Sequence, residues 1–156
     1  MVDNDGPVRL TPSMIPNFNN FDVKDSSFFR QWRELPSPKE VKAQAEYQHR
    51  AGVGPDPRTD YSIPIPYVRP PPVVFEDMGL LIKWGRYVGI SEALVLLALG
   101  RFLEGHVPVP EVYGWRTDGD EIFIYMEYVG TSHYVGSRFR ELHGLFRDTG
   151  HVTMAI

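Results

Sequence analysis

Cysteine is absent from the 156 residues, which excludes disulfides, thiolate nucleophiles and cysteine-based zinc sites. No apolar run reaches the roughly 18 residues of a membrane span, and Met1-Val-Asp-Asn-Asp-Gly-Pro7 lacks a cationic region followed by an apolar one. The expected address is therefore cytoplasmic, with no membrane partner. A basic balance is missing too: 16 Lys and Arg stand against 20 Asp and Glu, a net charge of -4, so nucleic acid is not an expected partner. The five histidines, His49, His106, His133, His143 and His151, show neither paired helical spacing with an acid nor a zinc signature, so no metal site is expected. No Gly-x-Ser-x-Gly elbow marks a nucleophilic serine.

What is present is enough apolar material for a real core, 42% hydrophobic and 13% aromatic residues. The length suits one modest domain or one lobe of a larger fold. Residues 1–27 are rich in Asn, Asp, Pro and Ser, with Pro7, Pro12 and Pro16 spaced so that no element runs far; they read as a poorly ordered tail. Over 28–72 a helical extension and a proline-rich linker follow. Phe28, Phe29, Trp32 and Leu35 recur at helical spacing, which predicts a short amphipathic turn that docks on the body of the fold. Ser37-Pro38-Lys39-Glu40 is a helix start, because serine caps, proline suits the first turn and glutamate completes a capping box. That surface helix should stop at Gly52. From Gly54 to Pro72, seven of nineteen residues are proline, an extended connector whose Pro70-Pro71-Pro72 either presents a polyproline face or stiffens the chain.

Residues 73–130 alternate like a folded core. Val73-Val-Phe75 and Leu80-Leu-Ile-Lys-Trp84 flank Glu-Asp-Met-Gly and should pair antiparallel. Ser91 can cap a helix over about 92–104 whose leucines cover most of its circumference, which predicts burial on more than one side. Glu111-Val-Tyr-Gly-Trp115 and Glu121-Ile-Phe-Ile-Tyr-Met-Glu-Tyr128 form a second hairpin around Thr117-Asp-Gly-Asp120. The expected fold is α+β: an antiparallel sheet with one packed helix, plus peripheral helices. Over 131–156, Phe139, Leu142, Leu145 and Phe146 have helical spacing interrupted by Gly144, and the last residues predict nothing.

Four stretches in order, Gly79-Leu-Leu-Ile-Lys-Trp-Gly85, Ile90-Ser-Glu-Ala93, Val107-Pro-Val-Pro-Glu-Val-Tyr-Gly-Trp115 and Phe123-Ile-Tyr-Met-Glu-Tyr128, resemble the aminoglycoside phosphotransferase-like branch of the protein-kinase-like superfamily. The resemblance covers about residues 73–130 and implies the N-terminal, mostly β lobe of a two-lobed kinase fold, with ATP beneath it. It implies that Lys83 neutralises the α- and β-phosphates, that Glu92 orients the Lys83 ammonium, and that the hinge Glu127, Tyr128 and Val129 reads the adenine edge through exposed backbone groups. Val74, Ile82 and Met126 are the apolar candidates to sandwich the ring, with strand register deciding which of them face it. Taken singly, Lys83 can also extend its ammonium to water over a packed stem, and Glu92 suits the positive end of any helix.

The family pattern also breaks. No His-x-Asp-x-x-x-x-Asn segment occurs; the nearest imitation, Phe146-Arg147-Asp148, has Thr153 where the asparagine belongs. A later metal-binding aspartate and a glycine-rich phosphate loop are equally unrecognisable, and Tyr134-Val-Gly-Ser137 follows Gly130 almost at once, as in a deleted or truncated product. Without those carboxylates a magnesium site is not expected, and phosphoryl transfer would lose its main electrostatic support. Two readings result. One is a truncated member of an ATP-dependent small-molecule phosphotransferase family, with a nucleotide-binding lobe and no catalysis of its own. The other is a non-catalytic interaction module that self-associates or takes a protein partner over its exposed lobe face.

Overall fold

The computed structural model describes residues 19–54, 69–103, 106 and 108–130. In chain order the elements are β1 (Phe21–Asp22), α1 (Ser27–Gln31), α2 (Pro38–Ala51), β2 (Val73–Phe75), β3 (Leu80–Gly85), α3 (Ile90–Phe102), β4 (Val112–Asp118) and β5 (Glu121–Glu127), with a 3-10 turn at Glu76–Met78. The five strands make one sheet in the order β1-β4-β5-β3-β2, and every neighbouring pair is antiparallel. The chain is therefore α+β, with the hairpin, helix, hairpin order expected for residues 73–130. Most of the Gly54–Pro72 connector and the whole of 131–156 lie outside the described residues.

Strand alternation explains the two faces. In β3, Leu80 and Ile82 point one way and are completely buried, joined in β5 by Phe123 and Tyr125. Leu81 points the other way with Ile124 and Met126 of β5. Both faces are covered by helices, so the central strands read as nearly continuous apolar runs.

The first face receives α1 and α2. Ser37 Oγ accepts a hydrogen bond from the Glu40 N–H at 3.3 Å while Glu40 accepts one from the Ser37 N–H at 2.7 Å, the expected capping box. α2 then ends at Gly52 and seats Val41, with no exposed surface, against Phe28, Leu35, Phe123 and Tyr125. The buried Tyr125 hydroxyl donates to Pro36 O at 2.7 Å; burial pushes that phenol far above its ordinary pKa. Gln48 closes the edge of the sheet. Its Nε2 donates to Val74 O at 2.9 Å and its Oε1 accepts from Val74 N at 3.4 Å, so one side-chain amide imitates the next strand beside β2.

Two expectations are corrected here. Residues 19–27 were read as tail, yet Phe21–Asp22 pair with Trp115 and Gly114 of β4, and the Asp22 carboxylate holds Arg116 at 2.5 Å. Composition alone misses such a strand, because its stability comes from a partner 94 residues away in sequence. Gly114 permits this approach: a Cβ there would stand 2.2 Å from Phe21 O. The second correction concerns α3. Its cap is Gly89, not Ser91, and it begins at Ile90. Only Ala93 is buried, while Val95 is 57% and Phe102 42% exposed, so this helix of leucines covers the sheet with one side and shows much of the rest.

Candidate functional site

β3 places Lys83 on the α3 face, directly across from Ile124 of β5, which pairs in turn with Trp115 of β4. Ile124 is fully buried, so the charged end of Lys83 needs a partner from the helix that packs on this face. α3 supplies that partner in its first turn. Gly89 O accepts the Glu92 N–H at 3.0 Å, and Lys83 Nζ donates to Glu92 Oε1. Each side chain is about one third exposed, 30% for Lys83 and 33% for Glu92. An exposed ion pair contributes about 0.2–1 kcal/mol, so the pair does more to hold the ammonium in place than to hold the fold together. On the other Glu92 oxygen lies a cation the sequence did not single out, Arg69, at 3.8 Å. Two cations and one carboxylate leave the cluster with a net positive charge.

Two residues before Lys83, Leu81 stands in a second cross-strand row with Val74, Met126 and Val112. Here the register decides what the spacing left open: Ile82 belongs to the opposite face, buried with Leu80 and Tyr125, and Leu81 is the β3 residue that shares a face with Val74 and Met126. A single residue of register moves a side chain across the sheet. Val74 and Met126 are themselves covered, 2% and 7% exposed, so half-buried Leu81 is the apolar member of this row that reaches the surface.

Glu127 ends β5 opposite Leu80, three residues from Lys83 and so about 10 Å along the strand. The expected row of exposed hinge groups is largely spent on the sheet. The Glu127 N–H goes to Glu111 O at 2.8 Å and the Tyr128 N–H to Gly79 O at 2.9 Å. Val129, 38% exposed, is the hinge residue whose N–H makes no bond among the described residues. β5 lies between β4 and β3, so successive amides at its end bond to alternate sides, to Glu111 and then to Gly79, which is why a hinge read from sequence overcounts its free donors.

A cleft of about 250 Å³ opens at the end of β5, lined by Trp32, Asp77, Tyr113, Glu127 and Tyr128 among others, with neither Lys83 nor Glu92 on its wall. Asp77 from the 3-10 turn and Glu127 make it acidic. The Tyr113 phenol registers this: burial raises its pKa and the charges of Glu127 and Glu111 raise it further. The cleft thus gathers carboxylates, whereas the Lys83, Arg69 and Glu92 cluster carries two cations to one carboxylate. Glu111, also missed by the sequence reading, accepts hydrogen bonds from Ser27 N at 2.9 Å and from Ser27 Oγ; it anchors α1 beside the start of β4.

Among the described residues no group of three or more His, Asp and Glu is arranged to hold a metal ion, and no helix is long and apolar enough to cross a membrane. Compared with protein-family models, curated proteins and solved structures, the chain matches none.

Proposed function

We propose that the chain is a nucleotide-binding lobe of the kind used by ATP-dependent small-molecule phosphotransferases of the aminoglycoside phosphotransferase-like branch. The observation that carries this reading is the ion pair between Lys83 of β3 and Glu92 of α3, two residues nine apart in sequence that the fold brings together on the rim of an apolar face. A lysine steered by a carboxylate is a fixed cation, and a fixed cation is what the inner phosphates of a triphosphate need. ATP fits the residues present in three respects. The cluster around Lys83 is net positive, Leu81 offers an apolar contact for a flat ring, and the Val129 N–H, which bonds none of the described residues, lies just past the end of β5 where a base edge would sit.

The same reading limits the chemistry. No His-x-Asp-x-x-x-x-Asn segment is available to activate an acceptor hydroxyl or to hold magnesium, so these 156 residues bind a nucleotide without transferring its phosphoryl group. Calorimetry with ATP on the chain and on Lys83→Ala tests it. The substitution should weaken binding at least about tenfold, the loss of one charge-assisted contact of about 1.5–3 kcal/mol; equal, negligible heats in both proteins would remove the idea.

A second reading, a non-catalytic interaction module, rests on a different observation: the exposed Val95 and Phe102 of α3 and Leu103 that caps its end. Apolar surface of this kind invites self-association or a protein partner. Size-exclusion chromatography with light scattering discriminates, since a clean monomer at high concentration counts against a face that must be covered.

A further inference from the structure

Arg69 stands just ahead of Pro70-Pro71-Pro72, and these three residues are not a slack connector. The Pro70 ring packs against Gly85, where a Cβ would come within 2.8 Å of it. Pro71 O accepts a hydrogen bond from Trp84 Nε1 at 3.2 Å, and the Trp84 ring is itself held by stacking on Phe123, with centroids 5.6 Å apart and planes 12° apart. Consecutive prolines have little backbone freedom. Fastened to the last two residues of β3, they fix the direction from which Arg69 approaches the Lys83–Glu92 pair.

Lys83 takes one oxygen of Glu92, and Arg69 stands 3.8 Å from the other. That separation exceeds the 2.7–3.2 Å of a hydrogen bond, so Arg69 feels the carboxylate's charge without committing a donor to it. Its side chain is 48% exposed. A guanidinium with a rigid fork of donors, facing solvent next to a fixed ammonium, suits a chain of phosphates, for which bidentate contact is geometrically natural.

We infer that Arg69 is a second polyphosphate-binding residue, presented by the proline splint, which closes on the outer phosphates of a triphosphate while Lys83 holds the inner ones. This rests on the nucleotide reading and adds to it the residue that selects for length of the phosphate chain. The triproline then serves neither as a partner motif nor as a spacer but as the mount for that cation.

The test is calorimetry on the 156-residue chain with ATP, adenosine and inorganic tripolyphosphate, repeated for Arg69→Ala, Arg69→Lys, Trp84→Phe and Lys83→Ala, with thermal unfolding of each variant. Arg69→Ala should weaken ATP and tripolyphosphate about tenfold, as expected for one charge-assisted contact, while leaving adenosine affinity and Tm unchanged. Arg69→Lys should restore part of the loss. Trp84→Phe, which keeps both cations and removes the bond to Pro71, should weaken the same two ligands by a smaller factor. Tripolyphosphate binding that depends on Lys83 but is untouched by Arg69→Ala would overturn this inference and leave the nucleotide reading standing. A wild-type chain that takes neither ATP nor tripolyphosphate would bring down both, whereas Arg69-dependent tripolyphosphate binding with no gain from the adenosine moiety would uphold the inference and remove the adenine site.

Discussion

The two faces of the sheet are covered by helices of opposite character. α2 is mostly polar in sequence, yet it seats Val41 without exposed surface and spends Gln48 on the backbone of β2. α3 is nearly all apolar, yet buries only Ala93. Packing is thus tight where the helix is hydrophilic and loose where it is hydrophobic. The amount of apolar surface a helix carries does not decide how much it buries; the shape and the polar bonds of the surface it meets do. The α2 face is complete as it stands, and the α3 face, which holds Lys83, Glu92 and Arg69 at its rim, keeps apolar surface in reserve.

Core truncation should separate the faces most strongly. Phe123→Ala on the α2 face should cost about 3–5 kcal/mol in urea unfolding, whereas Val95→Ala on α3 should stay within about 0.5 kcal/mol. A comparable loss at Val95 would mean that α3 is covered and the contrast false. Next in size, Gln48→Ala takes the acceptor from the Val74 N–H, while Val74 O keeps Gln44 Nε2 at 3.1 Å, costing about 1–3 kcal/mol. It should also raise aggregation through the opened edge, readable by light scattering; unchanged stability and association would show that the edge needs no such cover.

The smallest effect concerns acid. Burial works against the Asp22 carboxylate, but hydrogen bonds from Lys24 and Arg116, with their charges, outweigh it and hold its pKa below the ordinary value. The folded pKa being depressed, this stabilisation is fully present above about pH 3.9, the usual aspartate value, and is lost as pH falls through the folded value. Asp22→Asn should therefore flatten the acid limb of the stability curve. An unchanged slope would show that the pair joining β1 to β4 contributes nothing to acid sensitivity.

Legibility varied with how local the cause was. The capping box at Ser37 and Glu40 and the turn at Glu76–Met78 depend on neighbours in sequence, and both were readable. β1 was not, since two residues, Phe21 and Asp22, become a strand only when Gly114 admits their backbone. The start of α3 was misplaced by one candidate cap, Ser91, because Gly89 and Ser91 differ in side chain but the turn after β3 chose the former. At the site, Lys83 and Glu92 stood out by residue type and are joined in space. Arg69 and Glu111 carried no such signal: one lies fourteen residues from Lys83, the other acts on Ser27, 84 residues away.

By itself the sequence determined the class of the fold, through the alternation of apolar residues in β3 and β5 and the leucine-rich run between them, and it named the cation and the carboxylate most suited to meet. Only the tertiary structure decided which side of the sheet each residue serves, because one step of strand register exchanges Ile82 for Leu81. It also decided that the Glu127 and Tyr128 amides are used within the fold, because backbone hydrogen bonds to Glu111 and Gly79 are made between distant segments. And it alone set Arg69 beside Glu92, through a proline backbone fastened to Trp84 and Gly85 by contacts that no local pattern encodes.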